Sequence, residues 1–131
     1  MKIYTGNFAN VKKYKDAGLH PISIAISARY FSGDLYRPLN PERSFLHDPE
    51  NIYIPKFHAL LSQLNVKKVV ADLETLSKGS DVVLLCHEGE GDFCHRHLVA
   101  EWLKENLHVE VKELGKMQKQ SQKVVQKNEL F

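Results

Sequence analysis

Both cysteines of the chain, three of its seven histidines and an arginine fall within residues 81–97: Cys86-His87, then, past an acidic and glycine-bearing stretch, Cys94-His95-Arg96-His97. A thiolate is a nucleophile, an imidazole moves protons near neutral pH, and a guanidinium grips phosphate or carboxylate through paired hydrogen bonds. The apolar run 82–85 reads as a buried strand, and Asp92 as the cap of a following helix. A loop at the carboxyl end of a strand that opens into a helix is where open α/β sheets hold ligands. The helix end adds free backbone N–H groups and partial positive charge, which suit an anion or a thiolate.

Cys94 falls in the expected first helical turn, where the dipole, His95 and Arg96 would favour its thiolate. It is the candidate nucleophile, with His95 as general acid/base; the competing reading makes it the cap of an apolar stripe. Cys86 closes the strand and reads first as a small core residue that borders the pocket. Arg96 is expected to clamp an anion, with Arg29 as a second fork, the alternative being a surface ion pair of small value. Glu88 and Asp92 read as a solvated loop rather than an acid/base pair. Zinc is disfavoured as a cofactor, because seven residues separate the cysteines where structural sites prefer two to four, and residues 95 and 97 point to different sides of a helix. With neither a Gly-x-Ser-x-Gly elbow nor a Gly-Lys-Ser/Thr loop present, serine hydrolase and P-loop ATPase are disfavoured.

These residues need a frame. With 131 residues, 43% hydrophobic and 26% charged, the chain has the size and composition of one globular domain. Neither a membrane-length apolar run nor a signal-peptide pattern is present, so a cytoplasmic location is expected, where thiols stay reduced. Within 116–131 four lysines face one glutamate, a net +3 that exceeds the whole chain's +2 and leaves the first 115 residues at −1. The body is therefore no basic platform, which makes nucleic acid the less favoured partner.

The pattern predicts strands over 2–5, 22–27, 81–86 and 107–114, and helices over 8–14, 54–64, 66–76 and from 93 onward. Residues 28–50 carry Gly33 and three prolines, and read as a long loop whose Arg29, Tyr30, Phe31, Tyr36, Arg37 and Arg43 pack across the mouth of the site. Strands separated by helices give the expected fold: a single three-layer, Rossmann-like α/β domain over 1–114, with about four mostly parallel strands and helices on both faces. The remainder, 115–131, is rich in Lys and Gln. It reads as a frayed end, or as an amphipathic helix that docks or makes a homo-oligomer.

Val83-Leu84-Leu85-Cys86-His87-Glu88 followed by Gly91-Asp92-Phe93-Cys94-His95-Arg96-His97 resembles the signature of domain-of-unknown-function family 488. Ile3-Tyr4-Thr5-Gly6-Asn7 is similar to that family's opening turn, and Ser27-Ala28-Arg29 stands where many members carry Asp-Val-Arg. The resemblance implies a bacterial or phage setting and a shared site, but no settled reaction. The expected function is binding of a small anionic, nucleotide-derived ligand, including sequestration of a signalling nucleotide as a phage anti-defence role. Thr5, Gly6, Asn7, Ser27, Arg29, Tyr30, Cys86, His87, Glu88, Phe93, Cys94 and Arg96 make the ligand-binding set, Gly6 letting the ligand approach the backbone. The alternatives are an enzyme using Cys94 and His95 on a phosphorylated, glycosidic or thiol-bearing substrate, and a nucleic-acid or protein interaction module. No cofactor and no membrane partner are expected.

Overall fold

A computed structural model describes residues 1–27, 30–87 and 94–115. Its sheet is built from β1 (Ile3–Asn7), β2 (His20–Ser23), β3 (Asp34–Leu35), β4 (Val82–Cys86) and β5 (Lys112–Glu113). All pairings are parallel, in the order β3-β2-β4-β1-β5. Among the described residues four α-helices accompany them: α1 (Val11–Asp16), α2 (Glu50–Ser62), α3 (Val66–Ser77) and α4 (His95–Leu107).

β4 is the central strand, and its composition explains why. Its residues Val82 to Cys86 are all buried, as a strand covered on both faces requires. Alternate side chains serve two cores. Val82 and Leu84 join Ile22, Ile24, Phe57, Leu73, Val99 and Leu103 beneath α2, α3 and α4. Val83 and Leu85 join Tyr4, Tyr14, Leu19 and Leu114 on the α1 side. The result is three layers, with helices on both faces of the sheet.

The fifth strand is β3, two residues long, inside the stretch expected to be a loop. It escapes a periodicity test because two residues carry no period. β2 begins earlier than expected and admits Pro21, which pairs with Val83 of β4 at a point where β3 has not yet begun. The expected helix 8–14 is a 3₁₀ turn, Phe8–Asn10, leading into α1. α3 ends through left-handed Lys78 (φ 54°) and Gly79 (φ 86°), the capping expected of that glycine. The expected strand 107–114 shrinks to β5, and the 116–131 tail lies outside the described residues. Among the described residues no helix is long and apolar enough to cross a membrane.

Gly6 is required by a protein neighbour. A Cβ there would collide with the Tyr14 ring, whose hydroxyl donates to the Leu114 carbonyl at 2.6 Å. The expectation that Gly6 opens the backbone to a ligand gives way to this packing. Gly6→Ala is expected to cost about 2 kcal/mol through overpacking. Thermal melts would show it, and an unchanged midpoint would contradict the contact.

Candidate active site

The carboxyl ends of β2 and β4 lie side by side, Ile24 N–H donating to the Leu85 carbonyl at 3.0 Å. α4 starts at the same edge, because its cap residue Cys94 is extended (φ −154°) and turns the chain into the helix at His95. Cys94 is thus the cap rather than a first-turn residue, while the expected cap, Asp92, lies outside the described residues. Strand end and helix start bring the two sulfurs together, and Cys86 and Cys94 are joined as a disulfide with Cα atoms 7.2 Å apart. The expectation of free thiols, drawn from the compartment, gives way to this proximity.

A cavity of about 290 Å³ opens over them. Cys86, Cys94 and His95 form part of its lining, with Ser27 and His87 beyond them; Arg43, Leu46 and His47 enter from the 36–49 segment, and Tyr53 from α2. The long segment therefore does reach the site, through residues 41–47 rather than through its aromatics. Tyr30 is 94% exposed, Phe31 packs on Phe8, and Tyr36 is buried with its hydroxyl donating to Asp72 at 2.6 Å.

Arg96 is the largest departure from expectation. It is wholly buried, and its guanidinium donates from Nε and Nη2 to the Glu113 carboxylate at 2.8–3.2 Å. Nη1 donates to Cys86 Sγ at 3.1 Å. The anion clamp expected of Arg96 is corrected to an internal role: the cation faces a sulfur and a carboxylate of its own chain. Thr5 serves the same network, its hydroxyl donating to Glu113 at 2.6 Å. Asn7 is buried, its N–H reaching the Tyr14 hydroxyl at 3.4 Å and its Oδ1 accepting from Asn10. None of Thr5, Gly6, Asn7, Tyr30 or Arg96 lines the cavity. Arg29, Glu88 and Phe93 lie outside the described residues.

His95 Nε2 lies 2.7 Å from the Ile24 carbonyl, which can only accept, so Nε2 carries the proton and Nδ1 keeps a lone pair. Nδ1 stands 3.7 Å from Cys94 Sγ, and the ring meets Phe57 edge-on at 5.3 Å. Burial, followed by the nearby Arg96 guanidinium and the His97 ring, pushes the imidazole down to about 4 against the Ile24 hydrogen bond. Neutral at pH 7, His95 can accept a proton but is not a general acid there. Of the other histidines, His87 reaches the Ser27 carbonyl and packs at a tilt against Phe8, and His97 lies 4.0 Å from Glu113.

A family model described as DUF488-N3a, the active DUF488-N3 subclade, matches residues 27–107, more than half of the chain. The chain belongs to the DUF488 family. The segment matched to DUF488 carries Ser27, Arg43, His47, Cys86, Cys94, His95 and Arg96, and stops before Glu113. No curated protein and no solved structure matches this DUF488 chain.

Sequence reasoning missed Glu113 and His47, while Arg43 is the member of the loop set expected over the site that lines the cavity. The acidic residue sits in an otherwise apolar-polar strand and gives no local sign of its partner. His47 follows Leu46 among prolines and shows no pattern.

Proposed function

We propose that this DUF488 chain is a cytoplasmic, thiol-dependent enzyme acting on a small anionic, nucleotide-derived substrate in the cavity at the carboxyl edge of the sheet. The observation that carries this reading is the Arg96 N–H held 3.1 Å from Cys86 Sγ by a side chain with no access to water. A fixed cation beside a sulfur favours its thiolate, most of all where water cannot screen it. Once a cellular thiol reduces the disulfide, itself being oxidised to a disulfide, Cys86 is the nucleophile as the thiolate beside Arg96, and Cys94 keeps its S–H as a hydrogen-bond donor to neutral His95 Nδ1. Arg43 supplies the cationic side of the cavity for the substrate's anion and His47 a ring N–H donor, with Tyr53 and Leu46 as apolar wall. Cys86 sulfur bonds to the electrophilic phosphorus or glycosidic carbon, and the leaving group departs with the electron pair of the broken bond. The designation of the subclade as active is in keeping with chemistry rather than storage.

The test is alkylation of the reduced protein by iodoacetamide across pH, with the modified cysteine mapped by mass spectrometry. Cys86 should react with an apparent pKa below the free-thiol value of ~8.5, and nucleoside mono- and diphosphates should slow it. An ordinary pKa and indifference to every nucleotide would overturn the proposal. Calorimetric binding of a nucleotide with an ordinary thiol would instead favour sequestration without turnover.

A further inference from the structure

We infer that reduced Cys86 and Cys94, with His95, form a three-ligand site for a soft divalent cation of the zinc class, its fourth position opening on the cavity. This goes beyond the thiol reading and stands or falls separately from it. One donor atom from each of the three residues lies within 4.8 Å of the other two, and all three residues are buried. A tetrahedral zinc ion with sulfur at ~2.3 Å and nitrogen at ~2.0 Å holds its ligand atoms roughly 3.5–3.8 Å apart. The Cys94 Sγ to His95 Nδ1 distance, 3.7 Å, is already one such edge.

The surroundings fit as well. Metal-bound histidines commonly donate their other ring N–H to a carbonyl, which fixes ring and tautomer. Ile24 does this for His95, leaving the Nδ1 lone pair on the sulfur side. The Arg96 Nη1–H directed at Cys86 Sγ would donate to a metal-bound thiolate in the same way. Charge also balances: two thiolates neutralise a divalent ion, and Arg96 is matched by Glu113. All three residues line the cavity, so the fourth vertex faces water or a substrate oxygen.

Binding would release the thiol protons and occupy the sulfur electron pairs, so the metal would silence the nucleophile. The experiment is a titration of reduced, untagged protein with Co²⁺, read by absorbance, followed by displacement with Zn²⁺. Expected is a one-to-one complex with a thiolate-to-cobalt charge-transfer band, lost in Cys86→Ser and Cys94→Ser. On the wild-type protein, one equivalent of Zn²⁺ should abolish alkylation of both cysteines and a chelator should restore it, a readout that needs no variant to fold. Absence of the charge-transfer band, its survival in both serine variants, or alkylation unaffected by Zn²⁺ would each overturn the site. A low thiol pKa persisting without metal binding would leave the enzyme reading intact while removing this one.

Discussion

Arg96→Ala is expected to lower the unfolding free energy by about 3–5 kcal/mol, the cost of removing one partner from a buried ion pair. Glu113 would lose its guanidinium partner at a site where only 23% of its side chain meets water, with Thr5 the remaining donor at hydrogen-bond distance among the described residues. The same change would strip Cys86 of its N–H donor. Urea unfolding of the two proteins measures the first effect, and a loss within about 0.5 kcal/mol, the scale of an ordinary surface change, would refute the internal role. Glu113→Gln separates stability from chemistry. It also destabilises, yet it leaves Arg96 with less of its charge neutralised, so alkylation of Cys86 at neutral pH should speed up. A slower reaction in that variant would contradict the electrostatic account.

The second large effect is acid sensitivity from His95. In the unfolded chain its imidazole takes a proton near pH 6.5, whereas in the folded protein burial delays this to about 4. The stabilisation is therefore complete above pH 6.5, is lost as pH falls toward 4, and changes no further below that. The loss is about 3 kcal/mol, from 1.36 kcal/mol per pH unit. Melting curves of wild type and His95→Gln between pH 7.5 and 4 provide the check, since glutamine can still donate to the Ile24 carbonyl but does not titrate. Parallel pH slopes for the two proteins would rule out His95 as the origin.

How far the sequence discloses this depends on the range of the interaction. The run Val82 to Leu85 announces a strand covered on both faces, and the α3 stripe with its Gly79 terminus announces a helix, because those signals are local. Placement of the cysteine-histidine segment at a strand-to-helix junction follows from the same local signs. Arg96 does not, because an arginine at a helix start reads as solvent-facing until its partner is known. That partner, Glu113, is brought in only by the pairing of β5 with β1, Thr5 against Glu113. The meeting of Cys86, Cys94 and His95 is hidden for a related reason. Rules of metal-ligand spacing describe short knuckles, whereas here the end of β4 and the start of α4, eight positions apart in the chain, converge. Arg43 and His47 reach the cavity because α2 and the preceding turns cover that edge, a tertiary fact without a sequence period.

β5 contributes two residues to the sheet, yet one of them is the counterion of Arg96, and the adjoining Leu114 is fastened to Thr5 and Tyr14. During translation the thiols, the imidazole and the guanidinium all leave the ribosome before that carboxylate does. Until Glu113 emerges, the nascent arginine has nothing to neutralise it and little reason to enter the interior. The buried Arg96–Glu113 pair can thus form only once β5 is out, and a ribosome stalled short of β5 would hold a protein with the strands of its sheet core made and that pair unmade.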